Sequence, residues 1–158
     1  MSQTNVEIVQ ELLKGATKPE VVNRLVAPDA VYMSLTYDNP DLHRVMPWAG
    51  MHPDGRRGIL ETFQAINVFW TIEYFTNRDI FGEGENVAVF GSFTVHSVKL
   101  DKTFVSPFSV QVKLQDGRVT YMQYMEDTFG TGATFRARGT WHFQSDPHGP
   151  AVAVGDAG

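Results

Sequence analysis

Apolar residues along this chain recur first with a helical period and then with a period of two, and the change divides the chain into two halves. Val6, Val9, Leu12 and Leu13 share one face after Thr4-Asn5-Val6-Glu7, the spacing of a capping box in which the threonine hydroxyl caps the helix and Glu7 reaches back. Gly15 ends that helix. Thr17-Lys18-Pro19-Glu20 repeats the device ahead of Val21, Val22 and Leu25, and Ala27-Pro28 stops it. Residues 29–35 predict a short strand. The stretch from Thr36 to His52 is loop-like in its Asn, Asp, Pro and Gly content, yet it holds Met46, Trp48 and Met51, large apolar residues suited to covering something. Ile59, Phe63, Ile66 and Trp70 then predict a longer helix over 57–69.

From Trp70 onward, β-branched and aromatic residues predict strands over 71–81, 86–100, 103–115 and 118–127, interrupted by Gly82-Glu83-Gly84-Glu85, Asp101-Lys102 and Asp116-Gly117. Asp-Gly between two apolar runs is a strong hairpin signal. The order predicts an α+β fold. Three helices in the N-terminal half lie on one face of a curved antiparallel sheet made of one short strand and a four-stranded meander. A short helix after Thr128 closes the open end. Residues 1–136 are expected to form one domain and 137–158 a mobile tail, within which Trp141-His142-Phe143 is apolar enough to dock.

Composition narrows the chemistry. With 158 residues, 42% of them hydrophobic, the chain can bury one core. A net charge of −5 and no basic run longer than Arg56-Arg57 argue against nucleic acid as a partner. The absence of cysteine removes disulfides, thiolate zinc sites and thiol nucleophiles together. No histidine pair has metal-ligand spacing, and no Gly-rich loop runs into Lys-Ser or Lys-Thr, so neither metal nor nucleotide cofactor is expected. The polar N-terminus and the lack of a long apolar window predict a cytoplasmic protein with no membrane partner.

The strings Trp48-Ala49-Gly50, Gly58-Ile59-Leu60-Glu61-Thr62-Phe63, Ile80 to Val89 with its Gly-Glu-Gly-Glu-Asn-Val turn, Leu114 to Val119, and Glu126-Asp127-Thr128 resemble the SnoaL-like, polyketide-cyclase-like branch of the nuclear transport factor 2-like superfamily. The resemblance covers the chain to about Phe135. It implies a cone-shaped sheet around an apolar cavity, helices closing one side, and a homodimer through the outer sheet face. The superfamily includes isomerases, cyclases, epoxide hydrolases, dehydratases and non-catalytic modules, so the resemblance leaves activity open.

Strand alternation separates Tyr121, Gln123, Met125 and Asp127 from Met122, Tyr124 and Glu126. The resemblance implies a functional acid on the pocket face of this strand, and Asp127 is the choice for a proton-abstracting base; its alternative role is to cap the helix that follows. Gln123 stands where the resembling epoxide hydrolases carry a base-orienting aspartate, which argues against that reaction and leaves a hydrogen-bond donor to a carbonyl or a satisfied core amide. His96 is a candidate acid or an interface residue, and Tyr32 a candidate oxyanion donor or plain core. Trp48, Phe63, Ser106, Phe108 and Met125 are candidate pocket walls, with Asp79 a rival base. The expected ligand is a small apolar, ring-containing carbonyl compound. The alternative is a homodimeric binding or interaction module without catalysis.

Overall fold

Thr4 caps the first helix with the reciprocal bonds of a capping box, its hydroxyl accepting from the Glu7 amide at 3.2 Å and its own amide donating to the Glu7 carboxylate at 2.7 Å. The computed structural model describes residues 2–155. Helix α1 (Asn5–Lys14) turns at Gly15 into α2 (Pro19–Leu25). Here the second predicted capping box does not form: Lys18, not Thr17, is the cap residue, it makes no side-chain cap bond, and Pro19 starts the helix by its fixed φ alone. Strand β1 (Val26–Ser34) follows, longer at its N-terminus than expected.

The apolar loop contains more structure than its composition announces. Asn39 caps a short helix, α3 (Pro40–Val45), and Gly50–His52 forms a short strand, β2. Asp54 caps α4 (Gly55–Phe69), accepting from the Arg57 amide at 3.2 Å. The meander β3 (Trp70–Glu83), β4 (Asn86–Ser97), β5 (Thr103–Gln115) and β6 (Arg118–Glu126) then runs antiparallel, and α5 (Thr128–Ala133) caps its end. Asp116 and Gly117 both take positive φ, 50° and 73°, as the two central residues of a type I′ hairpin must.

Sheet order is β2-β1-β6-β5-β4-β3. β1 lies parallel to β6 and antiparallel to β2, so the six-stranded sheet is mixed rather than wholly antiparallel. Register shifts in β3, between Ile72 and Tyr74 and between Asn77 and Asp79, add twist where the sheet curls. Gly91 belongs to this bend. A Cβ there would fall 2.0 Å from the Thr76 carbonyl oxygen and 2.6 Å from the Phe108 ring, so only glycine lets the two strands and that ring approach.

The concave face packs against α1, α2 and α4 around Leu12, Val22, Ile59, Trp70, Val112 and Met122, all at 1% exposure or less. Where a mobile tail is expected, β7 (Thr140–Phe143) and β8 (Val152–Gly155) pair as a hairpin. Its Trp141 and Phe143 rings contact Phe129 on α5 at 6.1 and 6.2 Å. Among the described residues no helix is long and apolar enough to cross a membrane.

Candidate functional site

On the concave face, β5 contributes Phe104, Ser106, Phe108 and Val110, and β6 contributes Met122, Tyr124 and Glu126, set opposite Val112, Val110 and Phe108. Phe108 stacks on Tyr124 at 5.5 Å and on Phe75 at 4.7 Å, and Phe63 of α4 meets Tyr124 edge-on at 6.1 Å. Helix α4 also brings Thr62, buried at 1% exposure, towards Tyr32 of β1, which is fully buried and stacks on His52 of β2 at 5.5 Å. This is an aromatic interior with a few polar groups in it.

Glu126 is the charged member of that interior. Burial pushes its carboxyl up to about 7; the Thr131 hydroxyl opposes the shift, and the neighbouring Asp127 carboxylate adds to it. Glu126 Oε2 is buried with no hydrogen-bond partner. Tyr32 is raised beyond the ordinary tyrosine range, first by burial; the Ser34 and Thr62 hydroxyls pull against that, and the Glu126 carboxylate pushes with it. Yet neither hydroxyl completes a hydrogen bond of ordinary geometry to the Tyr32 OH, and the Thr62 Oγ1 and Trp48 Nε1 are likewise buried without partners. Tyr124 is raised by burial, then by Glu126 and Tyr32. The three groups therefore share one electrostatic environment, in which the tyrosines keep their protons at neutral pH while the carboxyl can gain or lose one.

Asp127 lies on the other side of this line. It is exposed, its Oδ1 accepts from the Gly130 amide at 3.1 Å as the cap of α5, and its own amide donates to the buried Ser106 Oγ at 3.0 Å. The expectation that Asp127 and Gln123 face the pocket is corrected by this placement: a bulge in β6 sets Val119 opposite Leu114 but Tyr121 opposite Lys113, and the parity inverts. Gln123 sits on the outer face and accepts from the Tyr121 hydroxyl at 2.9 Å.

His96 is also on the outer face, between Thr103 Oγ1 at 2.7 Å and Asp101 Oδ1 at 2.6 Å. Asp79 is exposed opposite Phe90, and Met125 is 37% exposed. The structure thus gathers Tyr32, Phe63, Ser106 and Phe108 on the inside, with Trp48 buried against Phe69 and Trp70. It adds Thr62, Tyr124 and Glu126. Thr62 follows Ile59 at helical spacing, and Tyr124 shares the alternation of Glu126, so both carried a periodic signal.

Two surface cavities lie away from this cluster. One, of about 590 Å³, is a polar groove along α2 and α4 beside Arg56, Arg57 and Glu61. The other, of about 470 Å³, lies between α3, α5 and the hairpin. Neither is lined by Tyr32, Tyr124 or Glu126, so the cavities and the titratable cluster lie in different places. Among the described residues no three His, Asp or Glu side chains gather as a metal site.

No family model matches the chain. It is 43% identical over 134 residues to patulin synthesis protein F of Aspergillus clavatus, covering 82% of this chain and 68% of that protein. It is 35% identical over 152 residues to patulin biosynthesis cluster protein F of Penicillium expansum, covering 93% and 76%. Solved structures similar in fold include a nuclear transport factor 2-like protein of Burkholderia thailandensis (TM-score 0.71, 15% identical, covering 85% of this chain and 99% of that one). A SnoaL-like protein of Jannaschia sp. CCS1 gives a TM-score of 0.68 at 15% identity, with 88% and 99% covered. TerC, co-crystallised with polyporic acid, gives 0.67 at 20% identity, with 83% and 97% covered. The chain belongs to the family of these patulin synthesis F proteins, and its fold is that of the SnoaL-like branch of the nuclear transport factor 2-like superfamily.

Proposed function

We propose that this protein binds a small, ring-containing carbonyl compound within the cone and moves a proton on it without a cofactor, as an isomerase, cyclase or dehydratase in the synthesis of a small natural product. The relatives named for patulin synthesis and the cyclase-type fold support the substrate class. The observation that carries the mechanism is Glu126, an inward carboxyl set opposite Phe108 whose Oε2 is buried and unpartnered and which desolvation pushes up to about 7.

As a carboxylate, Glu126 takes the proton from the carbon α to the carbonyl; the electron pair of that C–H bond becomes the enolate C=C bond, and the C=O π pair moves onto the carbonyl oxygen. The Tyr32 hydroxyl, which holds its proton, donates to the resulting enolate oxygen. The Glu126 acid then returns the proton to another carbon, or to a departing hydroxyl as water leaves. Burial among Phe63, Phe108 and Tyr124 keeps bulk water from competing with these transfers.

The product need not be known to test this. Incubating the protein with 2-tetralone in D₂O and following loss of the α-proton signal by NMR reads the abstraction step itself. Exchange that depends on Glu126 and persists in Asp127→Asn supports the reading. Exchange equal to buffer across a panel of cyclic ketones, lactones and quinones overturns it.

A second reading rests on the outer sheet face, where Phe81, Phe90, Val105 and Met125 are exposed. A second copy of the chain covering that face makes the protein a homodimer, with or without catalysis, and sedimentation at micromolar concentration distinguishes the two states.

A further inference from the structure

The cavity between α3, α5 and the hairpin has features that the proton-transfer reading does not use. Its volume, about 470 Å³, falls in the range of about 300–1,000 Å³ typical of small-molecule sites. Leu42 and Val45 of α3 form one wall, Phe129 of α5 and Phe135 another, and Trp141 of β7 reaches in from the hairpin. Phe129 and Trp141 are each 55% exposed. Aromatic rings left this open at a concave site have apolar area still to bury.

Arg136 lines the same cavity. Its Nε is buried with no hydrogen-bond partner, and among the described residues no carboxylate forms an ion pair with it. A guanidinium cannot shed its charge, and with its Nε edge covered beside Gly155 and no ion-pair partner among the described residues, its positive charge at the cavity favours an anionic ligand. The residue is also held in place. Its carbonyl accepts from Lys102 Nζ at 2.7 Å, its amide donates to the Ala133 carbonyl at 3.2 Å, and Phe135 beside it stacks on Trp70 at 4.7 Å. Trp70 is anchored in turn by donating to Thr134 Oγ1 at 2.8 Å. Asp41 lines the same cavity, and its carboxylate disfavours a second negative charge on a ligand there.

We infer that this cavity is a binding site, separate from the cluster around Glu126, for a small ring-bearing monocarboxylic acid whose carboxylate pairs with Arg136 and whose ring lies among Phe129, Phe135 and Trp141. Helix α5 separates the two sites: Thr128, Phe129, Gly132 and Ala133 line the cavity, whereas Gly130 and Thr131 are buried on the inner side, against Phe104 and near Glu126. A planar guanidinium matches a carboxylate with two parallel hydrogen bonds, which a neutral amide of the same shape cannot reproduce.

The test compares 1-naphthoate with 1-naphthamide by calorimetry and by tryptophan fluorescence, since Trp48 and Trp70 are buried and Trp141 alone of the three is exposed. The expected result is at least tenfold tighter binding of the acid, quenching that vanishes in Trp141→Phe, and at least a tenfold loss in Arg136→Gln with partial recovery in Arg136→Lys. Glu126→Gln leaves the naphthoate affinity unchanged. Equal binding of acid and amide to the unsubstituted protein overturns the inference without any variant having to fold. So does naphthoate binding that is lost in Glu126→Gln, which places the acid in the inner site, or no binding at millimolar acid.

Discussion

The end of β6 and the cap of α5 hold neighbouring carboxylates with opposite fates. Glu126, on the concave face with Met122 and Tyr124, is half-buried with its Oε2 covered, and desolvation pushes its carboxyl up to about 7, whereas Asp127, one residue on, is exposed and caps α5. Residue type does not separate them. What separates them is solvation and hydrogen bonding: the Glu126 carboxyl loses water and leaves one oxygen unpartnered, while Asp127 accepts a bond from a helix N-terminal amide. An acid–base role therefore falls to the carboxyl that the fold leaves uncomfortable.

That contrast is most sharply tested by removing each carboxylate in turn. Glu126→Gln is expected to lower enzyme-catalysed α-proton exchange by about 10²–10⁴-fold, the usual worth of a positioned general base, while Asp127→Asn stays within about threefold of the unsubstituted protein. Equal losses would break the distinction between the two carboxylates.

The same substitution has a pH-dependent effect on stability. Glu126 has a folded pKa of about 7 against an ordinary 4.5, so between these values the native state binds more protons than the unfolded one. Its effect on stability therefore worsens as pH rises from about 4.5 through 7 and is fully unfavourable above that. Glu126→Gln is expected to gain about 3 kcal/mol over the parent at pH 8 and close to nothing at pH 4, from the shift times about 1.4 kcal/mol per unit. Urea unfolding at the two pH values checks it.

Smaller effects sharpen the picture. Tyr32→Phe deletes a hydroxyl that has no hydrogen-bond partner, so stability is expected to hold within about 0.5 kcal/mol, while exchange falls about tenfold through loss of the oxyanion donor. A drop in stability with unchanged exchange would make Tyr32 plain core. Asp127→Ala is expected to cost about 1 kcal/mol through the lost cap, visible in urea unfolding and without effect on the pH at which exchange reaches half its maximum.

The meander, its Asp116-Gly117 turn and the packing helix α4 were legible because each rests on local signals: period two, a positive-φ dipeptide and a 3.6-residue stripe. The inward face of β6 was not. Tyr121 and Met125 are as apolar as Met122 and Tyr124, so alternation alone offers two equivalent faces, and a bulge near Thr120 changes which one continues the inward side of Val119. The β1–β6 parallel pairing was hidden for a related reason: no local pattern encodes which distant strand lies alongside. Trp141 and Phe143 did carry a signal, since two aromatics inside a Gly- and Pro-rich segment are out of place in a solvated tail, and they dock against Phe129.

The most direct test of the central claim is the titration of Glu126 itself, followed through its side-chain carboxyl carbon in ¹³C-glutamate-labelled protein and assigned by the resonance missing in Glu126→Gln. A midpoint near 7 is the predicted result. A midpoint in the ordinary range near 4.5 would mean that the carboxyl is hydrated or partnered in solution, and the acid–base site would not be where this structure places it.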